Sequence, residues 1–575
     1  MAKILSINSG LNASVGYFED GTPVFSIQEE RLNREKNFGG FPQLSLRYLF
    51  DNIVKPSEID KVVFTNSKPE IIAKEDYYRK YDRAFKDAIK ASKENSLLSN
   101  IKSKLRRTAL FELMKPQSDP KEVDDKSWLI AQGIDKSIIE YVDHHLCHAA
   151  AAYFGMAKDL DESYLVFTLD GGGDGLTSTV YLGKAGVLKK LSDSNAYSIG
   201  NIYSAITYFL GFKPHEHEYK LMGLSPYVKE EYARKYRDLL KSNIQVRGQN
   251  FENPEFLRHS LFMSYLIKNM TASRFDNIAG GLQMYTEDLV LEWIEKNIKE
   301  HGVRNIICSG GVFMNVKANQ LISQSSAVDY VDVFPSCGDE TNVFGAAFYA
   351  ENQAATEKKV DLLNEFTLGP EVSELDKYLE FFKEKITAEK VSNPAEYIAR
   401  LLSENQIVAR CSGKMEFGAR ALGNRSILAN PNSLANVAKI NQAVKKRDFW
   451  MPFAPAILFE DLEEYFDVPK SLSTQKSPYM MFAFNSKKSK QEEIICGLHQ
   501  SDKTGRAQTV RKDLSPGFYD VIAQFKKITG NSVVLNTSFN LHGFPIVTNA
   551  KEAIEVLLKS EIDVLMLEDY AVRRL

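Results

Sequence analysis

The chain has 575 residues, 44% apolar, 26% charged and 11% aromatic, and its 72 Lys+Arg against 75 Asp+Glu leave a formal charge of −3. That is material for roughly two to four buried domains, without the cationic footprint of a nucleic-acid binder or the roughly 18 consecutive apolar residues of a membrane span. Its five cysteines are widely spaced and never form Cys-x-x-Cys, which excludes a disulfide framework or zinc ribbon and suits a reducing cytoplasm, with no secretory leader, nucleic acid or membrane expected.

Residues 3–7 read as a strand, and 14–18 and 23–27 as a hairpin about Asp20-Gly21, a dipeptide that accepts the positive φ of a tight turn. Residues 68–126 are rich in Lys, Asp, Glu, Tyr and Ser and carry helical periodicity over 77–93. They read as a helical insertion, a solvated excursion before a lid over an acceptor pocket. Residues 164–169 form an apolar strand ending in Asp170-Gly171-Gly172-Gly173-Asp174-Gly175, with 177–182 as the return strand. Two strand, polar or glycine-rich loop, strand units about 160 residues apart suggest a duplicated α/β architecture. Actin-like and sugar-kinase ATPases are built so, each loop approaching phosphates through backbone N–H groups. Residues 305–308 then lead as a strand into Ser309-Gly310-Gly311, where glycines permit close approach to a nucleotide. The composition turns polar over 352–375, which places a domain boundary between residues 1–365 and 372–575.

The densest chemical signal is Asp143-His144-His145-Leu146-Cys147-His148-Ala149-Ala150-Ala151-Ala152, with three of the nine histidines in five residues. Asp143 is a natural N-cap and the alanines are strong helix formers, so His144 and His148 share one face of one turn. The positive end of the helix dipole favours the neutral, ligating imidazole; the alternative is a pair that only hydrogen-bonds. Loop carboxylates at Asp170, Asp174 and Asp339 would complete a site for iron, zinc or manganese. Cys147 and Cys337 read as packed small residues. In the C-terminal third, Arg420, Arg425, Lys445, Arg447 and Arg506 are candidates for a polyanion pocket, since guanidinium forks hold phosphates well. Roughly two of the five would only brace the fold. Asn536, Ser538 and Asn540 are small polar groups suited to a carbamoyl group or a phosphate oxygen.

Several segments in order resemble the NodU/TobZ-type O-carbamoyltransferases: His144-His145-Leu146-x-His148-Ala149-Ala150, Leu169 to Gly175, His217-Glu218-Tyr219-Lys220-Leu221-Met222-Gly223-Leu224 and Ser309-Gly310-Gly311-Val312-x-x-Asn315. Met415-Glu416-Phe417-Gly418-Ala419-Arg420-Ala421-Leu422-Gly423-Asn424-Arg425-Ser426 is similar to the family's most recognisable segment, followed by 445–455, 506–510 and 535–540. The resemblance implies an actin-like ATPase-fold domain over 1–365, where carbamoyl transfer takes place, and a YrdC-like domain over 372–575. Carbamoyl phosphate and ATP would form carbamoyl-adenylate in the second, and an acceptor hydroxyl would displace AMP at a metal site in the first. The implied iron ligands, Fe(II) or another divalent ion being the metal, are His144, His148, Asp170 and Asp339. Asn12, Lys220, Gly310, Gly311 and Asn315 would lie near nucleotide, with Arg425, Asn536, Ser538 and Asn540 in the second site. Arg420, Lys445, Arg447 and Arg506 would act in adenylate formation, and His145 is a candidate base.

Three positions depart from the family pattern: Leu11 where relatives carry histidine, Met451 where arginine is common, and Phe544 in place of a glutamate. They point to a divergent subgroup with its own acceptor, a small molecule or carbohydrate, and family habit suggests a homodimer. The competing readings are a tRNA-modifying or hydrogenase-maturation carbamoyl enzyme, a sugar kinase, and a nucleotide-binding scaffold without chemistry. The acidic balance and the absence of Cys-x-x-Cys weigh against the first, and the histidine and basic sets weigh against the last.

Overall fold

The computed structural model describes residues 2–67, 74–93, 125–253, 259–354, 366–445, 448–472 and 476–575. Strand β1 (Lys3–Asn8) pairs antiparallel with β2 (Ser14–Glu19), and β2 with β3 (Thr22–Gln28). The turn falls at Asp20 and Gly21, both at positive φ, 49° and 79°. β4 (Lys61–Phe64) and β5 (Ile139–Tyr141) add in parallel on the other side, giving the order β3-β2-β1-β4-β5. The second sheet follows the same plan. β6 (Tyr164–Gly173), β7 (Leu176–Lys184) and β8 (Val187–Ser194) are antiparallel neighbours. Beyond a hairpin of β9 (Gln245–Arg247) and β10 (Asn250–Glu252), β11 (Asn305–Ser309) and β12 (Tyr330–Val333) run parallel beside β6, in the order β12-β11-β6-β7-β8. One strand order with one set of directions, used twice, is the duplicated actin-like ATPase fold.

The sequence reading ends the β6 strand at Leu169, whereas the structure carries pairing on to Gly173 across a register irregularity. An extra-residue bulge lets a strand bend and re-aim a side chain without giving up its ladder, and Asp170 sits in that irregular stretch.

Helix α1 (Lys74–Lys93) is the described part of the expected insertion together with residues 125 and 126, the remainder of 68–126 lying outside the described residues. α2 (His144–Met156) leans on the second sheet, with the Tyr153 ring 6.3 Å from Tyr164. α3 (Ile199–Phe209), α4 (Glu218–Leu224), α5 (Phe275–His301) and α6 (Val316–Gln324) follow. α7 (Asn342–Ala354) leans on the first sheet, Phe344 standing 5.6 Å from Phe18. α2 and α7 therefore meet between the sheets. Ala149 to Ala152 are fully buried there, and a Cβ on Gly345 would fall 1.7 Å from the Cys147 carbonyl oxygen.

The C-terminal half is built on an eight-stranded mixed sheet in the order Ile386–Lys390, Tyr570–Arg574, Val564–Leu567, Val408–Cys411, Arg425–Ala429, Val533–Ser538, Ala454–Leu458, Gln508–Val510. It is tied to the earlier half at several points. Arg34 donates to the carbonyls of Ile546 and Pro545 at 2.9 and 3.0 Å and pairs with Glu552 at 3.0 Å. Ser26 of β3 donates to Leu368 O at 3.0 Å, and Val331 of β12 to Ser471 O at 2.8 Å. One buried apolar cluster runs from Ile4 through Phe344 and Phe366 to Phe417, Tyr479 and Phe482. Among the described residues, no helix is long and apolar enough to cross a membrane.

Candidate metal centre

Asp143 caps α2, its carboxylate accepting from the Leu146 N–H at 2.9 Å. With the helix start fixed, His144 and His148 fall one turn apart, ring centroids 4.8 Å from each other. The His144 N–H donates to Asp174 Oδ2 at 2.8 Å, and the Ser67 N–H reaches the same oxygen at 2.9 Å. Asp174 is thus a brace for the helix start rather than a further donor. Asp170 comes from the irregular stretch of β6, and its own carbonyl is held by the Ser198 hydroxyl at the N-cap of α3. Asp339 opens a 3-10 turn, Asp339–Thr341, just ahead of α7. Asn8 fastens that turn to the loop between β1 and β2, donating to Leu11 O at 2.9 Å and Asp339 O at 3.1 Å.

Asp170 Oδ2 lies 3.2 Å from His148 Nε2 and 3.5 Å from His144 Nε2. Asp339 Oδ1 lies 3.6 and 3.7 Å from the same nitrogens, and the four donor atoms all fall within 4.8 Å of one another. Donors ~2.1 Å from a common ion stand roughly 3 to 4 Å apart, so this set fits one ion. The remaining ring nitrogens are oriented by second partners, as ligating histidines require: His144 Nδ1 by Asn66 Oδ1 at 2.9 Å, His148 Nδ1 by Ser309 Oγ at 3.1 Å. Asn342 Oδ1 is buried beside the rings with no hydrogen-bond partner among the described residues.

The electrostatics agree. Burial alone would lower the His148 pKa, but its hydrogen bonds to Asp170 and Asp339 outweigh that and raise it to about 9. Burial raises Asp170 too, yet His144 and His148 hold it well below the carboxylate range. Asp339 is raised, by burial and by the charge of Asp170. Two half-buried carboxylates that draw a proton onto a neighbouring imidazole form a site short of positive charge, which a divalent cation supplies.

A second cluster lies in the C-terminal half. Lys445 Nζ donates to the Ser538 carbonyl, to Ser538 Oγ at 3.1 Å, to Asn540 O at 3.1 Å and to Asn540 Oδ1 at 2.7 Å.

Both halves also match one family: the signature described as carbamoyltransferase N-terminus over residues 3–348, and that of carbamoyltransferase C-terminus over residues 399–574. The chain belongs to the carbamoyltransferase family. It is 32% identical to an uncharacterized protein of Methanocaldococcus jannaschii over 99% of both chains. It is 28% identical to the nodulation protein NolNO of Sinorhizobium fredii over 96% of this chain and 78% of that one. Among solved structures, HypF of T. kodakarensis overlaps 61% of this chain and 48% of its own at 13% identity, with a TM-score of 0.35.

In this carbamoyltransferase the expected site residues divide. His144, His148, Asp170 and Asp339 converge, and so do Lys445, Ser538 and Asn540. His145 does not join them: its fully buried Nδ1 is 2.7 Å from Thr168 Oγ1, and burial, with the neighbouring His144 and His148, pushes its pKa down to about 3. It braces α2 against β6 and has no route to an acceptor. Arg425 is also withdrawn from any ligand, its buried guanidinium donating to the carbonyls of Ser412, Gly413, Asn424, Pro370 and Thr548. Asn536 Nδ2 is likewise spent inside, on Ala421 O at 3.0 Å and Gln508 Oε1 at 2.7 Å.

Lys220 pairs with Asp448 at 3.0 Å, at the seam between the halves. Asn315 exchanges two 2.9 Å hydrogen bonds with Gln283 of α5. Gly310 is at φ 104°, where a Cβ would meet Leu169 O at 2.4 Å, and a Cβ on Gly311 would stand 3.0 Å from Asp170 Oδ1. The glycine pair thus packs against the metal loop itself. Asn12, at φ 52°, is half-buried in the loop between β1 and β2. Arg420 is half-buried, its pKa lowered by burial, with no hydrogen bond or ion pair among the described residues. The Ala419 N–H beside it donates to Ser336 Oγ at 3.1 Å, so Arg420 borders the loop bearing Asp339. Arg506 is half-buried, and Arg447 lies outside the described residues. Asn8, Asn66, Ser309 and Asn342 were not foreseen as supports of the centre. Only Asn342 carried a signal, one helical turn after Asp339.

Proposed function

We propose that this carbamoyltransferase is ATP-dependent and O-directed. In this reading carbamoyl phosphate and ATP form carbamoyl-adenylate in a YrdC-like domain over residues 372–575, releasing pyrophosphate. The carbamoyl group then passes to a hydroxyl of a small-molecule or sugar acceptor at an Fe(II) site in the domain of residues 1–365. The observation that carries it is the pairing of two unlike clusters in one chain, a His2Asp2 set and a lysine-centred polar set. A joining reaction that gathers several phosphates calls for the second, and a transfer to a weak nucleophile calls for the first.

Bound at the centre, the ion would supply Lewis acidity toward the carbamoyl carbonyl. His144, His148, Asp170 and Asp339 hold it, with Asn66 and Ser309 keeping both imidazoles turned the right way. Lys445 places a fixed positive charge among Ser538 and Asn540, where it offsets phosphate charge. Arg420, from its place beside the Ser336 loop, offers a guanidinium to an anion moving between the clusters.

The test is pyrophosphate release by the iron-loaded full chain given ATP with and without carbamoyl phosphate. Release is expected only with carbamoyl phosphate, falling about 10²-fold or more in Lys445→Ala and persisting in His144→Ala. Release that ignores carbamoyl phosphate, or that His144→Ala abolishes together with Lys445→Ala, contradicts two separate sites.

A further inference from the structure

Asn342 holds a place in the centre that hydrogen bonding does not account for. It is the first residue of α7 and directly follows the Asp339–Thr341 turn, its N–H donating to Asp339 O. In a 3-10 turn, side chains three residues apart eclipse one another, so the Asn342 amide stands on the side of the turn that carries Asp339. The helix cannot carry it away, because Gly345, one turn further on, is pressed against the Cys147 carbonyl of α2. The side chain is fully buried, and its oxygen has no hydrogen-bond partner among the described residues.

The other arm of the amide lies at the imidazoles. Asn342 Nδ2 is 3.3 Å from His148 Nε2 and 3.5 Å from His144 Nδ1. Neither nitrogen suits an N–H donor. His144 Nδ1 has Asn66 Oδ1 at 2.9 Å to donate to. His148 Nε2, 3.2 Å from Asp170 Oδ2, either carries a hydrogen toward that oxygen or turns its lone pair to an ion. An amide keeps nearly the same shape when its oxygen and nitrogen exchange places, so a half-turn about its last bond sets Oδ1 where Nδ2 stands. That place is 3.3 Å from His148 Nε2, between the 3.2 Å of Asp170 Oδ2 and the 3.6 Å of Asp339 Oδ1, which is the spacing of atoms bound to one ion.

We propose that Asn342 Oδ1 is a fifth protein ligand of the ion held by His144, His148, Asp170 and Asp339. The donor chemistry agrees. Two carboxylates already balance the two charges of a divalent ion, so a further donor does best to be neutral, and carbonyl oxygens suit the divalent ions that carboxylates suit. A six-coordinate ion then keeps room for one exogenous oxygen instead of two. The assignment rests on the four-residue set holding a metal and is independent of the carbamoyl chemistry.

Co(II) serves as the probe, because its visible bands strengthen as its coordination number falls, and its affinity is read by competition with a chelator. Asn342→Leu keeps the branched shape without a donor, and Asn342→Asp keeps an oxygen at the same reach. In the full chain, Asn342→Leu should lower Co(II) affinity about 10- to 100-fold and intensify the bands. Asn342→Asp should keep the wild-type band intensity and lose no affinity. Unchanged affinity or unchanged bands in Asn342→Leu overturn the ligand, and so does a loss of affinity in Asn342→Asp, which marks Asn342 as an N–H donor. Should the leucine variant not fold, Asn342→Ala, which asks for no space, takes its place: affinity should fall to a similar extent, and unchanged affinity overturns the proposal. A wild type that binds no Co(II) overturns the four-residue centre and the fifth ligand with it.

Discussion

In the metal-free protein, His148 takes the charge that the two carboxylates demand. Its folded pKa of about 9 lies above the ordinary 6.5, so its contribution to stability is full below pH 6.5 and is lost as pH rises through about 9. Glu340, pushed up to about 7 by burial, acts in the same direction over a lower range. Metal-free protein should therefore melt at a lower temperature at pH 9.5 than at pH 6.5, and bound Fe(II) or Zn(II) should close the gap; paired thermal scans with and without metal check this. Apparent metal affinity should rise across the same interval, because binding displaces the His148 proton. The approach of His144 and His148 was legible because a capped helix puts them on one face whatever surrounds it. His145 and Arg425 were not legible. Whether an imidazole faces a cavity or Thr168, and whether a guanidinium meets phosphate or five carbonyls, is decided by neighbours from other elements, up to 123 residues away in the chain.

At the level of elements, the metal centre depends on how closely α2 and α7 approach. Gly345 is the contact point, with 1.7 Å between its would-be Cβ and the Cys147 carbonyl oxygen. That oxygen is backbone, so Gly345→Ala forces the helices apart and should cost about 3 kcal/mol or more. Because α2 bears both histidines and Asp339 immediately precedes α7, metal stoichiometry should fall together with melting temperature, a pairing that metal analysis and calorimetry can test. A surface-only role for Gly345 would leave both unchanged. The two hairpins were readable from Asp20-Gly21 and Asp174-Gly175, since positive φ at consecutive turn positions favours those residues. The continuation of β6 through Asp170 was not, because a run of glycines looks like a loop until a partner strand claims it.

Over the whole molecule, the duplicated plan of the first two sheets was suggested by two strand, loop, strand units and drawn in full from the family resemblance. The seam with the C-terminal half was not, being assembled from scattered residues such as Arg34, Lys220 and Asp448. Two backbone contacts at that seam do more than join the halves. β3 and β12 are the outermost strands of their sheets, and each meets later chain along its open side, at Leu368 and at Ser471 and Leu472. Open strand edges are templates for adding another chain. A fragment of residues 1–354 would bare both, and light scattering should find it self-associating into sheet-rich aggregates that bind thioflavin while the full chain does not. The C-terminal half would then be, besides a catalytic partner, the built-in safeguard against amyloid-like growth of the half that precedes it.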